Sequence, residues 1–209
     1  MDTVAQVRPY RGIEAAERLA QRRGQLLSAG LDLLGGPEDG GAELTVRAIC
    51  KQAGLGVRYF YESFTDKDDF VGAVFDWVIA DIAATTQAAV TSAPPQEQSR
   101  AGMANIVATI AGDARVGRLL FSTQLSNPVI VRKRAESTAL FASLLFQHAG
   151  ALGAKESDRV KAASHFVVGG VGQMISAWLS GDVALEPDQV VDQLASILDG
   201  LSDPRLYKD

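Results

Sequence analysis

The chain has 209 residues, 47% hydrophobic, 22% charged and 7% aromatic, with one cysteine and a formal net charge of −5. That much apolar material buries a core as one large domain or two small ones, which excludes a mostly disordered chain. A single thiol excludes an internal disulfide or a cysteine-rich zinc site and fits a reducing compartment. No window approaches about 18 uninterrupted apolar residues, and the charged N-terminal stretch lacks a secretory pattern, so a cytoplasmic protein without a membrane span is expected. The acidic balance, with pI near 5.1, at first argues against a nucleic-acid partner.

Helical periodicity runs through the sequence with no alternating strand segment and no Asn-Gly hairpin, which predicts an all-α fold of about nine helices. The first helix is expected from Glu14, with Leu19, Leu26, Leu27, Gly30 and Leu34 on one stripe. Gly35-Gly36-Pro37 should stop it through left-handed glycine geometry and a missing amide proton. After a Gly-rich acidic loop over 36–43 come two short helices, 45–52 and 57–61. Thr45 can cap the first, and Gly54 can end it with φ > 0. Two short helices across a tight glycine turn make a helix-turn-helix candidate.

A fourth helix opens at residues 65–69, where Thr65 or Asp66 can cap and the acids suit the positive dipole end. It runs to about Ser92 with Phe70, Val71, Val74, Phe75, Val78 and Ile82 on its apolar side. Further helices are expected over 96–111, 113–125, 128–149, 157–180 and 187–201, with Pro and Gly at the breaks. A boundary near residue 70 divides the chain into an arm over 1–13, a helix-turn-helix unit over 14–69 and a helical body over 70–209.

Within residues 44–67, Ile49, Ala53, Leu55, Phe60 and Phe64 fit the side of a DNA-reading unit anchored on its neighbours. Left outward are Thr45, Arg47, Val57, Arg58, Tyr59, Tyr61 and Lys67. Arg58 has a fork that can pair with guanine, and Val57 can touch a thymine methyl. The hydroxyls of Thr45, Tyr59 and Tyr61 can reach phosphates, as can Lys67 at a helix N-terminus. The ordered set Thr45, Ala53-Gly54-Leu55, Phe60-Tyr61, Phe64 and Lys67 resembles the TetR family of bacterial transcriptional regulators. The Arg-Tyr-Phe-Tyr-Glu-Ser-Phe run is most similar to members from high-GC Gram-positive bacteria. The resemblance covers residues 26–74 in detail and implies backbone contacts at Tyr61 and Lys67. Gly56 and Ser63 depart from the family's usual Ser and His, removing one cap and one phosphate donor. Cys50 is read as a small buried core residue. The basic run Val7-Arg8-Pro9-Tyr10-Arg11 before the first helix has two open readings, a minor-groove arm and a solvated tail.

The resemblance further implies that the body binds an effector and dimerises. Small residues Gly169, Gly172, Ser176 and Ala177 on the 157–180 helix suit close helix approach, and Val191, Leu194 and Leu198 on the last helix complete the expected dimer surface. Phe75, Met103, Phe121, Phe141, Leu144, Phe166, Met174 and Trp178 are the candidate pocket lining, with Gln124, His148, His165 or Gln173 as orienting groups. No metal-ligating pattern occurs and no cofactor is called for. The Arg132-Lys133-Arg134 run reads as a solvated face. The expected function is a homodimeric DNA-binding regulator, a repressor released from a palindromic operator by a small partly apolar ligand. A helical interaction adaptor without DNA function and an all-α enzyme are the alternative readings. Charge is uneven: residues 8–23 and 44–61 each carry net +3, while residues 71–209 carry net −3. A net −5 therefore allows a small, local contact face, for which a shallow salt dependence is expected.

Overall fold

The computed structural model describes residues 10–36, 44–122, 124–151 and 157–201. Among these residues the structure is all helical: α1 (Tyr10–Gly35), α2 (Val46–Ala53), α3 (Val57–Tyr61), α4 (Lys67–Ser92), α5 (Gln98–Gly112), α6 (Ala114–Phe121), α7 (Pro128–Ala151), α8 (Asp158–Ser180) and α9 (Pro187–Leu201). A short 3₁₀ turn, Pro95–Glu97, precedes α5. The chain divides into two compact units, Met1–Val74 and Phe75–Asp209.

In the first unit, local chemistry sets the helix ends. The Thr45 hydroxyl accepts from the Ala48 N–H at 3.1 Å, as its capping position requires. Gly54, at φ 67°, closes α2 by donating its N–H to the carbonyls of Cys50 and Lys51, a left-handed conformation that glycine enters without a Cβ penalty. Gly56 opens α3 with no side-chain cap. At the start of α4 the Asp66 carboxylate accepts from the Asp69 N–H at 2.9 Å, and the Asp69 carboxylate accepts from the Thr65 N–H at 2.9 Å. This reciprocal arrangement satisfies donors that a helix end leaves over. The core is Leu26, Ile49, Phe60, Phe70, Val71 and Val74, all fully buried. Phe60, Phe64 and Phe70 meet with ring centroids 5.0 to 5.4 Å apart, tilted or edge-on as aromatic quadrupoles prefer.

Two expectations for α1 need correction. The helix starts at Tyr10 rather than Glu14, so Tyr10 and Arg11 belong to it; residues 7–9 of the expected arm lie outside the described residues. Leu19 is 40% exposed although it shares the stripe of Leu26 and Leu27. A 26-residue helix is roughly 39 Å long, far longer than α2 and α3, so its first half outreaches them. Gly36 does not adopt φ > 0; among the described residues only Gly54 and Gly181 do. A Cβ at Gly36 would stand 2.5 Å from the Asp32 carbonyl oxygen, so close approach rather than handedness calls for glycine there.

In the second unit α5 packs on α9, α7 on α8, and α6 on both α5 and α8. Phe75, Val107, Ile110, Leu119, Ile130, Ile175 and Val190 are buried. The sixth helix ends four residues earlier than expected, at Phe121 instead of Leu125. Ser122 is extended, and Asn127 turns its side-chain oxygen to the Val129 N–H at 2.9 Å to open α7. The residue before Pro128 is biased against helix, so the two signals end the run early. α5 begins at Gln98, because the 3₁₀ turn takes the residues before it. By length and composition α4 could cross a membrane, with a mean hydropathy of 1.2, although no uninterrupted apolar run marks it. Its apolar residues Phe70, Val71, Val74, Phe75, Val78, Ile79 and Ile82 are buried, while Trp77 is 41% exposed.

Candidate nucleic-acid interface and effector cavity

α3 is five residues long and is held by one side. Phe60 is fully buried and Phe64 nearly so, while Ala53 and Leu55 are only half-buried. Val57, Arg58 and Tyr61 are exposed, Tyr61 by 60%. Thr45 and Arg47 are exposed at the start of α2, and Lys67 is half-buried as the first residue of α4. Five of the seven residues expected outward are thus exposed, and Lys67 is half-buried. Tyr59 departs from the expectation: the ring is half-buried beneath the Arg22 guanidinium, 4.5 Å from its centroid, a cation–π contact.

Arginines of α1 brace this helix. Arg22 pairs with Glu62 at 3.5 Å, and Glu62 also accepts from Arg58 Nε at 2.9 Å. Arg23 donates to the Ser63 carbonyl at 2.9 Å and lies 4.4 Å over the Phe64 ring. Gln52 donates to the Asp32 carboxylate at 2.9 Å, tying α2 to α1. Arg22 and Arg23 therefore spend their charge inside the unit, which corrects the reading of the 8–23 cluster for these two; Arg18 is exposed, and the side chains of Arg8 and Arg11 lie outside the described residues. Sequence reasoning missed Glu62 as the partner of Arg58; its i,i+4 spacing was the available signal. Cys50 is buried, and burial pushes its thiol pKa up, as an inert core residue requires.

The second unit encloses an open cavity of about 1630 Å³. Five of the expected residues line it: Phe75, Met103, Phe121, Phe141 and Leu144, joined by Gln173. Three do not. Phe166 is 70% exposed on α8, Met174 is absent from the wall, and Trp178 donates its ring N–H to the Leu185 carbonyl at 2.9 Å. Spacing along α8 does not say which of its residues face the other helices, and Phe166 falls on an exposed part of α8 among the described residues. Gln124 is exposed and does not line it, and His165 lines a separate, smaller hollow between α7 and α8. The His148 side chain lies outside the described residues.

The expected dimer surface also divides. Val191 and Leu194 are buried within the single chain, because α9 turns its apolar stripe onto α5; they are core, not interface. Gly169, Gly172, Ser176 and Leu198 line the cavity, and Ala177 is half-buried. The basic run of α7 is not uniformly solvated. Lys133 pairs with Asp76 at 2.7 Å and Glu136 at 3.1 Å, and the hydrogen bond to Asp76 holds its pKa above the usual lysine value. Arg134 turns inward and lines the cavity. Among the described residues no group of three metal-ligating side chains comes together.

No protein-family model matches the sequence. No curated protein matches it either. Solved structures do: a TetR-family regulator from Syntrophomonas wolfei superposes with TM-score 0.70 at 15% identity, over 88% of this chain and 95% of its own. Another from Rhodococcus sp. gives 0.68 at 15%, over 88% and 100%. The chain has the TetR-type fold. The regulator FadR of Bacillus subtilis, solved in complex with stearoyl-CoA, gives 0.62 at 18% identity over 83% of this chain and 96% of its own. At such identities the likeness is one of architecture, so within the TetR-type fold the roles of individual residues rest on their own geometry.

Proposed function

We propose that the protein is a homodimeric, sequence-specific DNA-binding regulator, a repressor that leaves a palindromic operator when a small partly apolar ligand enters the cavity. One observation carries the reading: a short α3, anchored by Phe60 and Phe64, presents Val57, Arg58 and Tyr61 outward beside the exposed Thr45 and Arg47. Such a helix reads bases in the major groove while neighbouring hydroxyls and cations hold phosphates. That neighbours of the same fold are transcriptional regulators supports it.

Dimerisation is supported by the exposed Phe166 on α8. That ring stands 70% exposed, and a Cβ built at Gly170, one turn on, meets nothing within 4 Å. A second copy approaching there would bury that phenyl ring and place two recognition helices on one duplex. For the ligand, the wall of Phe75, Met103, Phe121 and Phe141 is apolar, as an effector site requires. Release is a population shift: α4 carries Lys67 at its start and Phe75, Ile79 and Ile82 in the cavity wall, so ligand-favoured shifts of this helix would bias DNA binding.

Selection of genomic fragments with the purified protein, followed by footprinting, tests the reading. A palindrome is expected, with affinity reduced in Arg58→Ala, Tyr61→Phe and Lys67→Ala. Enrichment of no duplex would leave the DNA-binding reading without support, and unchanged affinity in all three variants would sink the site assignment.

A further inference from the structure

Arg134 is set apart from the two cations before it. Arg132 pairs with Glu136 at 3.5 Å, and Lys133 with Asp76 and Glu136. Arg134 Nη2 instead donates to the Leu119 backbone carbonyl at 2.8 Å. Its Nε is buried with no hydrogen-bond partner, and among the described residues no carboxylate forms an ion pair with it. The other charged side chain of the cavity wall, Asp199 on α9, is exposed and does not pair with it. Along α7 the wall continues with Ser137 and Thr138 and then Phe141, Leu144, Leu145 and Ala149, with Phe121 from α6. A guanidinium stays protonated at such partial burial, so the half-buried Arg134 brings to a largely apolar cavity wall a cation that has no carboxylate partner among the described residues. A ligand that displaces water from that wall leaves the charge uncompensated unless it brings an anion.

We infer that the cavity takes an amphipathic anion, an apolar chain ending in an acidic head, with the Arg134 guanidinium as the counter-ion. This rests on the cavity being the effector site. The chain would lie along the aromatic wall, and the head would meet the charge that no carboxylate of the described residues pairs with.

Calorimetry on the full chain with dodecanoate, dodecanol and dodecanoyl-coenzyme A separates the possibilities. Dodecanoate should bind about ten- to a hundred-fold more tightly than dodecanol, the range of a charge-assisted hydrogen bond. Arg134→Gln, which keeps a donor for the Leu119 carbonyl, should erase that preference with dodecanol binding intact, and its thermal melt reports whether it folds. If the thioester rather than the free acid shows the Arg134 dependence, the head is a phosphate and the anion assignment stands. Equal binding of acid and alcohol by the unaltered protein, which needs no variant, overturns the anion site while leaving the cavity as a ligand site. A preference that survives Arg134→Gln does the same. Binding of none of the three probes overturns both.

Discussion

Arg58 has an 85% exposed side chain, yet its Nε is engaged by Glu62 at 2.9 Å. An exposed i,i+4 pair is worth only about 0.3 to 0.5 kcal/mol, so DNA can break it, and a guanine edge offers a better match to the fork. In the proposed complex Glu62 would act as a brake on sequence-independent binding by placing a negative charge near the phosphates. Glu62→Gln should raise affinity for random duplex and steepen its dependence on log salt by about one, as read by fluorescence anisotropy across a salt series. An unchanged slope would mean that Glu62 lies away from the duplex. Stability has its own single-residue test at Gly30. A Cβ there would stand 2.5 Å from Val74 Cγ2 and 2.6 Å from Phe70 Cζ, both in the core of the first unit. Gly30→Ala should cost about 1 to 3 kcal/mol by overpacking, despite the better helix propensity of alanine, and a urea titration measures it. The stripe of the first helix showed Gly30 as inward; that two side chains from another helix claim its space is visible only in the fold.

At the scale of elements, the starts and stops follow local chemistry. Thr45, Gly54, Asp66 and Ser157 hold the positions their residue types favour, and Gly181 closes α8 at φ 82°. Asp113 does so for α6: it accepts from the Arg115 N–H at 2.9 Å and pairs with the Arg115 guanidinium. That side-chain hydrogen bond, first among the causes, holds the Asp113 carboxyl below the usual carboxylate range. Asp113→Ala should cost about 1 kcal/mol at neutral pH. Because the folded pKa is depressed, the contribution is complete above the unfolded pKa of about 4 and is lost as pH falls through the folded value. Denaturant melts of both proteins should therefore converge on acidification; a constant gap would assign the effect to helix propensity alone. Where element ends were misplaced, a non-local or competing signal decided. The 3₁₀ turn displaced the start of α5, and Asn127-Pro128 cut α6 short.

For the whole molecule, net charge misleads because it averages unlike regions. The basic clusters looked like a contact face, but Arg22 and Arg23 brace α3 internally. Among the described residues Arg18, Arg47, Lys51 and Arg58 are exposed in the first unit and Lys67 is half-buried, a small set for which a shallow salt slope is expected. Assembly is tested at Phe166. Phe166→Asp should shift the protein toward monomer in light scattering and weaken operator binding, with the melt little changed because the ring is exposed. A dimer that persists would move the interface elsewhere. The sequence by itself determined the helical class, the two short helices across a glycine turn and much of the outward and anchored sides of residues 44–67, Tyr59 excepted, because periodicity, caps and glycine turns are local. Only the tertiary structure decided that Val191 and Leu194 are core, that Phe166 faces out, and that Arg134 faces in. Each of those depends on which neighbouring helix covers a face, and spacing along one helix carries no record of its neighbours.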